Sequence, residues 1–304
     1  ADPGVPVVTV FDQNAAPTRN TTAEVYTQIN KDLDAAFASL SVAKNSSYIN
    51  KYAAKALQAR VYLTMGDYAN AKAAALEVKN NGGYKLVEKG SYISYWANGV
   101  PRTDKVETIF EISLDMVNNN GTNALAYIYD QAGYGDQLAT ADLYATYTTG
   151  DVRKDVIKVG SRGTADPVAY IVNKFPNSSS TADRDDIKVI RYAEVLLTLA
   201  EAQARTNDPA ALITLNEVSA ARGGAIYVST GDALIEDILN ERRKELAFEG
   251  QRYWGLVRLN RPIARTTQHP AAARNIAVGD YRRVLPIPQG ERDTNPNIEQ
   301  NPEW

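Results

Sequence analysis

Lys51-Tyr52-Ala53-Ala54-Lys55-Ala56-Leu57-Gln58-Ala59-Arg60-Val61-Tyr62-Leu63, followed by Gly66-Asp67-Tyr68, is the stretch on which the fold turns. Ala53, Ala56, Ala59, Tyr62 and Leu63 recur at helical spacing. Gly66-Asp67-Tyr68 supplies a turn, and a second helix, with Ala71, Ala75 and Val78 inward, ends at Gly82-Gly83. Small side chains at Ala59, Gly66, Ala71 and Ala75 let two antiparallel helices approach closely, which is the logic of a tetratricopeptide repeat of roughly 34 residues. The spacing therefore predicts an all-α fold built from helix pairs.

Residues 190–222 repeat the scheme. Ala193, Leu197, Ala200 and Ala204 share a helix face, Asn207-Asp208-Pro209 breaks it, and Leu212, Leu215 and Val218 follow. Asp208 reads as an N-cap and Pro209 as the first helical residue. Before the first pair, residues 21–40 form a helix with Val25, Ile29, Leu33, Ala36, Phe37 and Leu40 on one stripe. Thr21 and Glu24 make a capping box at its start.

After the second pair, Gly231 to Glu249 carries Ile235, Ile238, Leu239 and Leu246 on a stripe that also holds Arg242, Glu245 and Glu249. Charges on a core-facing stripe require partners. The spacing predicts a structural ion-pair network, with Arg252 or Arg258 completing it. The competing reading is a paired-carboxylate active site.

Residues 84–188 differ in kind. They are rich in Gly, Asn, Thr, Asp and Tyr, with short extended candidates at Thr108 to Leu114 and Val168 to Phe175. Loops on a rigid helical frame are where ligands are met, so this loop-rich insertion with a few short strands is the expected ligand-binding part.

The 304 residues are 44% hydrophobic and 23% charged, with a net charge of -3, which gives no general attraction to nucleic acid. No apolar run approaches the roughly 20 residues that cross a bilayer as a helix. Cysteine is absent and His269 is the sole histidine, so thiolate chemistry and the usual zinc sites are excluded, and no catalytic triad can form away from His269. Gly133-Tyr134-Gly135 lacks the Lys-Ser/Thr of a phosphate loop. Asp130 with Asp136, and Asp183 with Asp185 and Asp186, could in principle face each other as glycosidase pairs. The second cluster also offers oxygen ligands to Ca²⁺. In loops this rich in Asn and Gly, solvation and turn capping explain the acidic groups better. No catalytic residue, metal site or cofactor is assigned.

The chain's end completes the pattern. Glu241-Arg242-Arg243-Lys244-Glu245 runs to Arg252-Tyr253-Trp254, and then come Leu285-Pro286-Ile287-Pro288 and Asn295-Pro296-Asn297 to Pro302. Taken in order with Arg19, Lys51 to Leu63, Asp151 and Arg153, Asn173-Lys174-Phe175, Arg191 to Leu197, Asn216 and Arg222, this series resembles the SusD/RagB family over nearly the whole chain.

The resemblance implies a single domain over 1–304. It would comprise the first helices and repeat pair (21–83), the insertion (84–188), the second pair with the charged helix (189–260) and a C-terminal tail (261–304). It implies a surface nutrient-binding lipoprotein of the outer membrane that takes up an oligosaccharide or another small nutrient. The partner would be a SusC-like TonB-dependent transporter, and no bond would be cleaved. The lipid-bearing cysteine and one repeat pair would belong to an N-terminal segment preceding this sequence.

Family ligand sites use exposed aromatic rings on variable loops, because sugar C–H faces pack on π faces. Gly90 to Asn98 offers Tyr92, Tyr95, Trp96 and Asn98, and a second cluster holds Tyr127, Tyr129 and Tyr134. Tyr92 and Trp96 are four residues apart and could instead pack as one helix face. Tyr253 and Trp254 are expected in the core. The alternative function is a helical-repeat scaffold for protein partners; a glycoside hydrolase is the third reading.

Overall fold

Thr21 and Glu24 reciprocate as expected. The Thr21 N–H donates to Glu24 Oε2 at 2.8 Å, and the Glu24 N–H donates to Thr21 Oγ1 at 3.2 Å. They open α1 (Thr22–Ser39), whose apolar stripe is half-buried. The computed structural model describes residues 2–97, 106–115, 117–164, 166–177 and 186–304. Two compact units result: Ala1–Ala38 with Tyr253–Trp304, and Ser39–Arg252.

The larger unit contains both helix pairs. The first is α2 (Lys51–Met65) and α3 (Tyr68–Asn81). Asn50 caps α2, accepting the Ala53 N–H at 2.8 Å and donating to the Tyr84 hydroxyl at 2.8 Å. Gly66 ends α2 at φ 76°, a left-handed conformation that glycine adopts without strain. Ala53, Ala56, Ala59, Ala71 and Ala75 are fully buried, so the close approach implied by their size is realised.

The insertion follows. It contains α4 (Tyr92–Ala97), β1 (Thr108–Ile112), α5 (Leu125–Tyr129), β2 (Leu138–Ala139), α6 (Ala141–Ala145), β3 (Ile157–Gly160) and β4 (Ala169–Val172). Strands β2, β4 and β3 form a three-stranded antiparallel sheet in that order. The segment has a hydrophobic core of its own, built around Tyr92, Trp96, Leu143, Tyr147, Val156 and Phe175. It is a packed layer and not a set of loops hung on a frame.

β5 (Ile187–Arg191) pairs antiparallel with β1 and runs straight into α7 (Tyr192–Arg205), which pairs with α8 (Ala211–Ala221). α8 starts two residues beyond Pro209, and Asp208 instead accepts the Ala210 N–H at 3.0 Å, capping the preceding turn. Helix α7 is buried on every side from Tyr192 to Gln203, packed against α2, α3, α8 and α9 (Gly231–Glu245). Its polar groups are therefore partnered: Arg60 donates to both Glu194 oxygens at 2.7 and 2.6 Å, and Thr214 donates to Gln203 at 2.8 Å.

The charged stripe of α9 enters a buried network. Arg153, Arg191, Arg222, Lys174 and Lys244 meet Asp151, Glu107, Glu241, Glu245 and Glu249. Glu245 accepts from three guanidiniums, Arg191 at 2.9 Å, Arg222 at 3.1 Å and Arg153 at 3.1 Å. Glu107 is shared by Arg191 at 2.5 Å and Arg222 at 2.8 Å. Cations around Glu245 and Glu249 thus come from the strand, the turn and the helix ends, through Arg191, Arg153, Lys174 and Arg222. The ion-pair reading holds, with Arg153, Arg191, Arg222 and Lys174 as partners.

The smaller unit adds α10 (Gln251–Arg258), β6 (Ile263–Ala264), α11 (Ala271–Arg274), β7 (Asn275–Ile276) and α12 (Gln289–Thr294) to α1, with β6 and β7 antiparallel. Trp254 is 62% exposed, against expectation. Successive helical residues point about 100° apart, and the Tyr253 hydroxyl faces inward to donate to the Arg283 carbonyl, which leaves the next ring outward.

Candidate ligand-binding site

The aromatic residues of the insertion divide by burial. Tyr92 and Trp96 are 1% and 2% exposed, so neither offers a ring to a ligand in solution, and the helix-face alternative describes them. The reason is electrostatic as well as steric. Lys174 Nζ lies 4.2 Å, Lys188 Nζ 4.9 Å and the Arg191 guanidinium carbon 5.0 Å from the Trp96 ring centroid, so cations occupy the space a sugar would need. Tyr92, Tyr95 and Phe175 meet the indole edge-on at 6.2, 5.4 and 5.8 Å. The Arg222 guanidinium covers Tyr92 at 4.7 Å.

Tyr95 is half-buried, its hydroxyl bonded to Thr108 Oγ1 at 2.8 Å and its ring under Lys188. Burial raises its hydroxyl pKa well above the ordinary value. Asn98 lies outside the described residues.

The second cluster is different. Tyr134 is 53% exposed and meets Tyr127 edge-to-face, centroids 5.2 Å apart and planes at 90°. The Tyr134 N–H donates to the Tyr127 carbonyl at 3.1 Å, and Gly133 permits that closure, since a Cβ there would stand 2.2 Å from the same oxygen. Gln131 bridges the turn, donating to the Gly135 carbonyl at 3.3 Å. Tyr129, on the same helix, turns inward, stacked on Phe175 at 5.9 Å and 17° and edge-on to Phe248. The structure therefore brings Tyr127 and Tyr134 together at the surface and joins Tyr129 to Tyr95 and Trp96 through Phe175.

The insertion also borders a cavity of about 220 Å³ lined by Trp96, Leu125, Phe175, Lys188, Phe248 and Glu249. That is below the roughly 300–1,000 Å³ of drug-sized sites, so it suits one small group and not a chain. Trp96 Nε1 is buried without a hydrogen-bond partner beside it. Phe248 has φ 69°, an outlier for an aromatic residue, which marks its backbone as held in place by its surroundings. Nothing in the spacing pointed to Phe175, Phe248 or Lys188. The one available signal was that Asn173-Lys174-Phe175 belongs to the ordered series.

The carboxylates here are not poised for acid-base work. Burial raises the pKa of Glu245, but Arg222, Arg191 and Arg153 outweigh it and hold the carboxyl well below the ordinary range. Glu249 is held low in the same way by Arg191 and Lys174. Burial lowers Lys174 to about 8 against the pull of Glu249. Asp130 Oδ1 accepts the Ala132 N–H at 3.0 Å, bracing a turn, and Asp186 Oδ1 accepts the Leu114 N–H at 2.9 Å, tying together segments 72 residues apart. Asp183 and Asp185 lie outside the described residues. Among those described, no group of three or more His, Asp or Glu side chains is arranged to hold a metal ion.

Comparison with known proteins gives concordant matches. Residues 21–304 fit the sequence model of the SusD family. SusD-like protein P38 of Formosa agariphila is 36% identical over 98 residues, which span 29% of this chain and 20% of that protein. A SusD superfamily structure from Bacteroides thetaiotaomicron superposes with a TM-score of 0.87 at 30% identity, covering 100% of this chain and 72% of that one. A Bacteroides vulgatus protein given a provisional sugar-binding description does so at 0.88 and 30%, covering 99% and 70%.

Proposed function

The chain belongs to the SusD family, and from that premise we propose that it captures a glycan without cleaving it. The observation that carries the proposal is the Tyr127 and Tyr134 pair, one ring exposed and one edge-on, fixed by a turn that only glycine at 133 can close. An exposed, preorganised phenol ring offers a face for pyranose C–H groups and a hydroxyl for their rim, at little cost in side-chain ordering. The sugar-binding description of the Bacteroides vulgatus relative supports the ligand class. Capture without hydrolysis fits the lowered Glu245 and Glu249, because a general acid needs a raised pKa.

Within this reading the protein is lipid-anchored at the outer-membrane surface and delivers its ligand to a SusC-like TonB-dependent transporter. Co-purification with such a transporter from outer membranes tests that part; an extract that yields the protein alone counts against it.

Affinity electrophoresis against a polysaccharide panel tests the ligand class. Retardation by at least one polymer is expected, and Tyr134→Ala should abolish it while moving stability by no more than about 0.5 kcal/mol, as for an exposed site. Equal retardation of the variant would remove the tyrosine pair from the site. Migration unaffected by every polymer would remove glycan capture.

A further inference from the structure

A second cavity lies in the smaller unit, far in sequence from the insertion. It measures about 810 Å³, within the range of small-molecule sites. Its walls include Val257, Val284, Ile287 and Ile298. Two cations stand among them. Arg19 spends its guanidinium on the Gly4, Pro3 and Glu299 carbonyls, whereas Arg283 is 8% exposed and its Nη1 is buried without a hydrogen-bond partner. The guanidinium makes no ion pair among the described residues. The nearest carboxylate in sequence is already taken, because Asp280 receives Arg282 Nε at 2.8 Å and Nη2 at 2.5 Å.

A guanidinium withdrawn from water with a donor unused is an unstable arrangement for a fold to retain unless something fills it. Its planar fork matches a carboxylate in two parallel hydrogen bonds. Asp2, Glu291 and Glu303, all exposed, also line the cavity and would repel a dianion more than a monoanion. The apolar walls need an apolar body to cover them.

We propose that this cavity binds a small organic monocarboxylate, its carboxylate on Arg283 and its apolar body against Val257, Ile287 and Ile298. The site is independent of the tyrosine pair and of glycan capture.

Octanoate is the probe, titrated calorimetrically into the 304-residue protein, with octanol and inorganic phosphate as controls. Saturable octanoate binding is expected, with octanol weaker by roughly tenfold or more, the scale of a charge-assisted hydrogen bond, and phosphate not bound. Arg283→Met should weaken octanoate by a similar factor without lowering the melting temperature of the unliganded protein. Val284→Trp, at a position 55% exposed, should block the cavity with Arg283 intact and supplies the decision if the first variant does not fold. Equal binding of octanoate and octanol, or binding unchanged in either folded variant, overturns the proposal. So does an unliganded Arg283→Met protein that melts lower, since the guanidinium would then be bonded within the fold.

Discussion

Glu245 illustrates what one residue does in this protein. It is fully buried and accepts from Arg153, Arg191 and Arg222. Glu245→Gln leaves three guanidiniums facing a neutral amide, and breaking a buried pair in this way costs about 3–5 kcal/mol. Urea unfolding should show the midpoint falling by the corresponding amount at unchanged slope; a loss under 1 kcal/mol would mean that the remaining carboxylates carry the network without it. The need for partners at Glu245 and Glu249 was legible, because charges sat on an apolar stripe. Their identity was not, since Arg153 and Arg191 are separated from Glu245 by 92 and 54 residues and no periodicity links them. Burial at Trp96 was legible as the helix-face alternative, but its cover was not: the cations over the ring come from Lys174, Lys188 and Arg191, on other segments.

At the level of elements, boundaries set by local chemistry were readable and those set by pairing were not. The capping box of α1, the Gly66 turn and the alanine faces of α2 and α3 follow from spacing alone. β5 escaped notice because its inward positions are Lys188 and Ile190, so alternation does not separate polar from apolar, and no linker divides it from α7. Asn50 allows a test of the first pair. It caps α2 through Oδ1 and holds Tyr84 through Nδ2. Asn50→Asp keeps the acceptor and Asn50→Ala keeps neither bond, so the alanine variant should lose about 1–2 kcal/mol more than a cap-preserving one. Equal thermal shifts in the two variants would assign the whole effect to the Tyr84 bond.

On the scale of the molecule, the all-α repeat architecture could be read from two helix pairs and an ordered set of motifs. The joining of both chain ends into one unit could not, since nothing in residues 1–38 or 253–304 taken alone points to the other. The insertion was judged a binding region from its composition, yet its composition hides a packed core of its own. The buried network gathers Glu107, Arg153, Arg191, Arg222 and Glu245 from five separate stretches of chain, with Arg222 and Glu107 115 residues apart. Contacts of such long range close after the local helices have formed, because each must first offset the entropy of a large loop. A cluster assembled late is absent from the folding barrier and lost on the way out, so its strength resides in the rate of escape from the native state. Stopped-flow kinetics on Glu107→Gln should therefore show faster unfolding with refolding nearly unchanged, and slowed refolding would place the cluster in the nucleus. What these arginines and glutamates would then confer is persistence in time.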